Sequence, residues 1–175
     1  MRDIRLDDKT GSLLLPLTKD GVGLSGGAIV YHGKVFEPKE EVHITVIGSE
    51  LGRKIIEMSS ANHEIKERIL KAIAEADWSY SVQGKMHHVV KDKELPSPPA
   101  ANKILHAESI IRMASVPGIQ QFYEQLGAIV GIQLEVPPVH VTLYTYGDPR
   151  GIGLPNQAAF EEFVREEVAP DELKQ

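Results

Sequence analysis

The chain has 175 residues, 42% of them hydrophobic and 25% charged, and a formal net charge of −6. It has no Cys, which excludes a disulfide framework, a thiolate metal site and a Cys nucleophile. The acidic balance excludes a broad basic face of the kind that grips duplex DNA, while leaving room for a pocket that holds one phosphate or one nucleotide end.

Residues 1–10 are charged and lack the apolar segment of a secretory signal. No apolar run approaches the roughly 20 residues that span a bilayer. The expectation is a soluble, cytoplasmic, monomeric protein without a membrane contact. Residues 12–18, "SLLLPLT", read as a strand or buried extended segment, and the Gly-rich 19–27 as a loop. Residues 28–38 predict a hairpin turning at His32-Gly33. The β-branched run 42–48, "VHITVIG", predicts a strand.

Ser49 is positioned to cap a helix over 50–58, and Ser59-Ser60 to start another. Ile65, Ile69, Ile73 and Ala76 share one face at helical spacing, so 61–76 is the clearest helix. Residues 78–92 alternate and suggest a hairpin turning at Gln83-Gly84, which leaves His87-His88 on a solvated surface. Adjacent strand residues face opposite ways, so those two His cannot both hold one ion. The Pro-rich 93–103 is a loop and 104–114 a strand. Ser115 and Pro117 open a helix to 131, with Ile119, Phe122, Leu126 and Ile129 on its apolar face. Residues 139–146 form another strand. Then come a loop through "GDPRGIGLPN" and a closing helix over 157–168. His32 reads as a turn residue and His63 as a helix-start residue. No phosphate-binding glycine fingerprint is present, since "GVGLSGG" lacks the spacing and the Lys. Strands joined by tight turns, with helices between them, imply an α+β fold of antiparallel sheet.

Two strands carry the same word: "VHITV" at 42–46 and "VHVTL" at 139–143. Strand residues i and i+2 share a face. His43 and Thr45 therefore point one way while Val42, Ile44 and Val46 point into a core. His140 and Thr142 do the same against Val139, Val141 and Leu143. Two imidazoles beside one phosphorus suit an in-line displacement, one accepting a proton and the other giving one. The Thr hydroxyls suit the non-bridging phosphate oxygens. Tyr144 and Tyr146 continue the His140 face by the same alternation, placed to stack on a base or touch phosphate. Arg150 lies just beyond, within reach of an anion. His106, Glu108 and Arg112 share a further strand face.

Paired apolar-His-x-Thr-apolar words about a hundred residues apart resemble those of the 2H phosphoesterase superfamily, which includes the RNA 2',3'-cyclic phosphodiesterases also called 2'-5' RNA ligases. The resemblance covers most of the chain in length and element order, and its specificity rests on the two words. It implies one bilobal domain over 1–175, with two pseudo-symmetric halves of antiparallel sheet and outer helices around a central cleft. It implies a metal-independent hydrolase without a cofactor, acting on a 2',3'-cyclic phosphate of a nucleotide or RNA end, or on a related 2'-linked phosphodiester. His43, Thr45, His140 and Thr142 would be its catalytic set, with Tyr144, Tyr146 and Arg150 binding substrate. A non-catalytic nucleotide or RNA-end-binding module is the first alternative. A metal hydrolase pairing His140 with His43 or His106 is the second, disfavoured because no carboxylate stands at ligand spacing beside either His.

Overall fold

A computed structural model describes residues 4–24, 26–94 and 104–173. The loop expected over 93–103 therefore lies mostly outside the described residues. The strands are β1 (Arg5–Leu6), β2 (Leu13–Pro16), β3 (Ile29–Tyr31), β4 (Lys34–Pro38), β5 (His43–Ile47), β6 (Ser81–Glu94), β7 (Ile104–Ser115), β8 (His140–Tyr146) and β9 (Val164–Val168). The helices are α1 (Ser49–Ala61), α2 (His63–Glu75), α3 (Ile119–Val130) and α4 (Gln157–Phe163). The fold is α+β, and every strand pair is antiparallel.

The strands run β1-β2-β5-β8-β7-β6-β9 across one open sheet. One edge of β8 is shared: β5 pairs with it at Ile44 and Val141, and β4 pairs further along at Thr145 and Tyr144. The two His-x-Thr strands are thus neighbours at the middle of a continuous sheet.

Three apolar clusters fix the layers. Leu13, Leu15, Ile44, Val46 and Ile47 pack beneath α1, α2 and α3, against Ile55, Ile69, Ile73, Phe122 and Leu126. Beside it, Val141, Leu143, Tyr144, Ile110 and Met86 lie under the β3–β4 hairpin with Ile29, Tyr31 and Phe36. On the opposite face Val89, Ala107 and Ile111 meet Ile152, Leu154 and, from α4, Phe160. Apolar burial of this kind is the main stabilising contribution, about 25 cal/mol per Å².

The β3–β4 turn falls at His32-Gly33 as expected, with φ of +47° and +74°. A two-residue hairpin turn with both residues left-handed matches the twist of its strands. Gly48, not Ser49, is the cap of α1. The break between α1 and α2 comes at Asn62, whose side chain accepts from the Glu64 amide at 3.0 Å; α1 continues through Ser59 and Ser60.

Two expected elements are corrected. Residues 81–94 form one long strand, not a hairpin. Pairing with β7 on one side and β9 on the other holds them extended, and Gln83-Gly84 falls in a bulge between Val82 and Met86. The closing helix stops at Phe163, and 164–168 becomes β9 because its pairing with β6 outweighs local helix preference. The short β1 had no signal in the sequence. Among the described residues no helix is long and apolar enough to cross a membrane.

Candidate active site

The register between Ile44 and Val141, continued one residue each way, sets His43 opposite Thr142 and Thr45 opposite His140. An antiparallel pair has a local two-fold axis, so a word repeated on both strands makes a reciprocal square of side chains on one face. The two imidazoles occupy its diagonal, where backbone separation is roughly 7–8 Å. Ile44 and Val141, between them, point into the apolar layers behind.

All four side chains line a cavity of about 600 Å³. Lys39, Glu41, Leu134, Arg150 and Ile152 contribute to its walls, as does the start of α1 at Gly48, Ser49 and Glu50. Pockets of 300–1,000 Å³ are the usual size for small-molecule ligands.

His140 is held by its surroundings. Its Nδ1 lies 2.8 Å from the Pro138 carbonyl, which can only accept, so the proton sits on Nδ1. The Ile152 backbone supplies a further hydrogen bond. Burial pushes the His140 pKa below its ordinary value; the two backbone bonds pull the other way, and the neighbouring His43 adds to the lowering. His43 is lowered too, first by burial and then by Lys39, against a smaller opposing pull from Glu41.

Arg150 reaches the cavity but is also tied to Asp148. Its Nε and a terminal nitrogen donate to the two Asp148 oxygens at 3.1 and 3.0 Å. Asp148 is 2% exposed and also accepts from Lys93 of β6 at 2.8 Å. Burial alone would raise the Asp148 carboxyl, but the Arg150 and Lys93 bonds outweigh it and hold it far below the usual carboxylate range. These bonds pin the 147–153 loop over the site. At its apex Gly151 has φ of +84°, and a Cβ there would sit 3.3 Å from Thr142 Cγ2. Lys39 closes the other side, donating to the Pro149 carbonyl at 2.7 Å.

Tyr144 and Tyr146 are corrected. Between the pairs Ile111–Thr142 and Ile110–Tyr144 the β7–β8 register shifts, leaving Leu143 as an extra residue in β8. Such a bulge reverses the alternation beyond it. Tyr144 is buried among Val141, Leu143 and Ile110 on the far face. Tyr146 packs on Phe36 there, ring centroids 5.7 Å apart. Neither lines the cavity.

His106 is also on the far face, bonded to Asp92 at 2.7 Å and to Glu108 at 2.7 Å. It cannot share an ion with His140. Asp148 and Lys93 had no signal in the sequence, since their pairing joins positions 55 apart.

No family model matches this chain, and neither a curated protein nor a solved structure matches it.

Proposed function

We propose that the chain is a phosphoesterase in which His43 and His140 form a proton-accepting and proton-donating pair. The observation that carries this is the reciprocal square of two His and two Thr lining one cavity. The substrate class is the 2',3'-cyclic phosphate of a nucleotide or RNA end, or a related 2'-linked phosphodiester. One neutral imidazole takes a proton from water as the water oxygen bonds to phosphorus. The phosphorus–oxygen bond to the 2' or 3' carbon breaks, and the other imidazole, protonated, gives its proton to the departing oxygen. The product is a phosphomonoester. Thr45 and Thr142 are placed to donate to the non-bridging oxygens, where charge gathers.

The lining charges support a single phosphate and not a polyanion: Lys39, Lys54 and Arg150 are matched by Glu41, Glu50 and Glu135. This chemistry calls for no metal at the cavity, because two imidazoles supply both proton transfers. The reading also carries the finer view of the fold, two matched halves of sheet and helix that meet along β5 and β8.

The test is turnover of a 2',3'-cyclic nucleotide and of an RNA ending in a 2',3'-cyclic phosphate. His43→Ala and His140→Ala should each lower kcat by about 10²–10⁴-fold with circular dichroism unchanged. Thr45→Ala and Thr142→Ala should each cost less than the His variants, as each removes one donor. Tight binding of the product nucleotide without turnover would favour the non-catalytic module instead. Wild-type turnover in both His variants would end the reading.

A further inference from the structure

The face of the sheet away from the cavity carries a second polar cluster. The β3–β4 hairpin folds over β6 and β9, laying His32 against two cross-strand neighbours, His88 and Glu166. Ligand atoms of these three residues lie within 4.8 Å of one another, and among the described residues this is the one such group. The His88 ring is buried, and its Nδ1 has no hydrogen-bond partner. A buried polar atom without a partner costs about 1–3 kcal/mol, so natural structures rarely leave one.

The distances say what would satisfy it. His88 Nδ1 is 3.6 Å from Glu166 Oε1, and His32 Nε2 is 3.4 Å from the same oxygen. Both are too long for good hydrogen bonds. A tetrahedral ion with bonds of ~2.0–2.1 Å holds its ligand atoms roughly 3.3–3.4 Å apart, close to these values.

The surroundings are arranged for a ligand. His88 Nε2 lies 2.8 Å from Glu108 Oε2. Donation of Nε2–H to that carboxylate leaves the Nδ1 lone pair aimed at His32 and Glu166, the carboxylate–histidine arrangement that orients metal-binding imidazoles. Glu108 is 2% exposed and is held in turn by Lys34 and by His106. Tyr31 Oη donates to Glu166 Oε1 at 2.9 Å and its ring stacks on His32, centroids 4.2 Å apart, so both outer ligands are positioned.

We infer that His32, His88 and Glu166 form a binding site for a divalent transition ion of the zinc class, clipping the β3–β4 hairpin to the β6–β9 edge. Two imidazole nitrogens and one carboxylate select zinc-like ions over magnesium or calcium, which prefer all-oxygen sets. The side chains of His32 and Glu166 are 58% and 43% exposed, so an ion can enter and water can fill the fourth position.

The experiment is calorimetric titration of ZnCl2 into the chelator-treated, desalted full chain, with visible absorption of added Co²⁺ reporting coordination. The expected result is one ion per chain at micromolar affinity or better, and a Tm that rises with zinc. His32→Asn keeps a residue that tolerates the left-handed turn, and Glu166→Gln is isosteric. Both positions are exposed, so both variants fold, and each should weaken binding at least tenfold and abolish the Tm rise. His87→Ala, on the neighbouring position facing the other way, and His43→Ala, at the cavity, should leave zinc binding unchanged. Failure of the wild type to bind, unaltered affinity in His32→Asn and Glu166→Gln, or loss of binding in His43→Ala would each overturn the site. The His43→Ala arm also separates this inference from the proposed activity, which that substitution removes.

Discussion

At the scale of single residues, what matters about His43 and His140 is that both are lowered by burial. With ordinary values near 6.5, both imidazoles are mainly neutral at neutral pH in the free protein. The proposed chemistry needs exactly one proton on the pair. That state is most populated between the two apparent values, which belong to the pair. The profile of kcat/KM should therefore be a bell with its maximum below about pH 6.5. A bound phosphate anion favours the charged imidazole and raises both values, so the kcat profile should lie at higher pH than that of kcat/KM. Initial rates over pH 4.5–9 check both statements. An activity that climbs steadily through pH 8 would contradict them and point to a hydroxide mechanism. The facing of these residues is legible in the sequence because it needs only period-two alternation and one apolar side. The facing of Tyr144 and Tyr146 is not, because the Leu143 bulge is set by the partner strand β7.

At the scale of elements, the decisive piece is the 147–153 loop, which Asp148 anchors and Gly151 lets pass close over Thr142. Alanine at 151 would force a left-handed residue with a Cβ, costing about 1–2 kcal/mol, and would press on Thr142 at 3.3 Å. Gly151→Ala should lower Tm by roughly 3–6 °C and raise KM more than it lowers kcat, because it displaces a phosphate donor and leaves both imidazoles in place. Scanning calorimetry and steady-state kinetics on one sample would show it. A variant with wild-type KM would mean that Thr142 has no part in binding. The helices and most strands are readable from periodicity, whereas 81–94 and 164–168 are not. Their local signals, Gly84 and the acidic run before Val168, lose to pairing across β6, whose partners lie far away in the chain.

For the whole molecule, charge and pH act together. His43 and His140 resist protonation in the folded state, so the stability they allow is complete above about pH 6.5 and declines as pH falls. Asp148 is depressed, so its contribution is complete above about pH 4 and is lost on further acidification. His106 has the opposite sign: its hydrogen bonds to Asp92 and Glu108 raise it, and its contribution is present below about 6.5 and lost as pH rises. His106 is the more exposed, so the half-buried pair should dominate. Tm should fall between pH 7 and pH 5, and His140→Ala should flatten that slope. A Tm that rises over the same interval would show that His106 outweighs the pair. The α+β class and the antiparallel sheet follow from strands joined by tight turns. That the two repeated words stand side by side depends on a contact between residues almost a hundred positions apart, which no local pattern encodes.

The extra residue in β8 has a consequence for how this gene can change. Up to Thr142 the strand serves the cavity; from Tyr144 onward its tyrosines serve the other side, where Tyr146 meets Lys34 and Phe36 near the His88 cluster. In a regular strand, inserting or deleting two residues preserves facing, whereas a single-codon change reverses it for everything downstream. Deleting the Leu143 codon, by contrast, would remove the extra residue: Thr142 and Tyr144 would follow one another opposite Ile111 and Ile110, and Tyr144, Thr145 and Tyr146 would keep the faces they have. Position 143 is thus a place where this strand can lose one residue without turning its tyrosines, so indels here are constrained by place as well as by length.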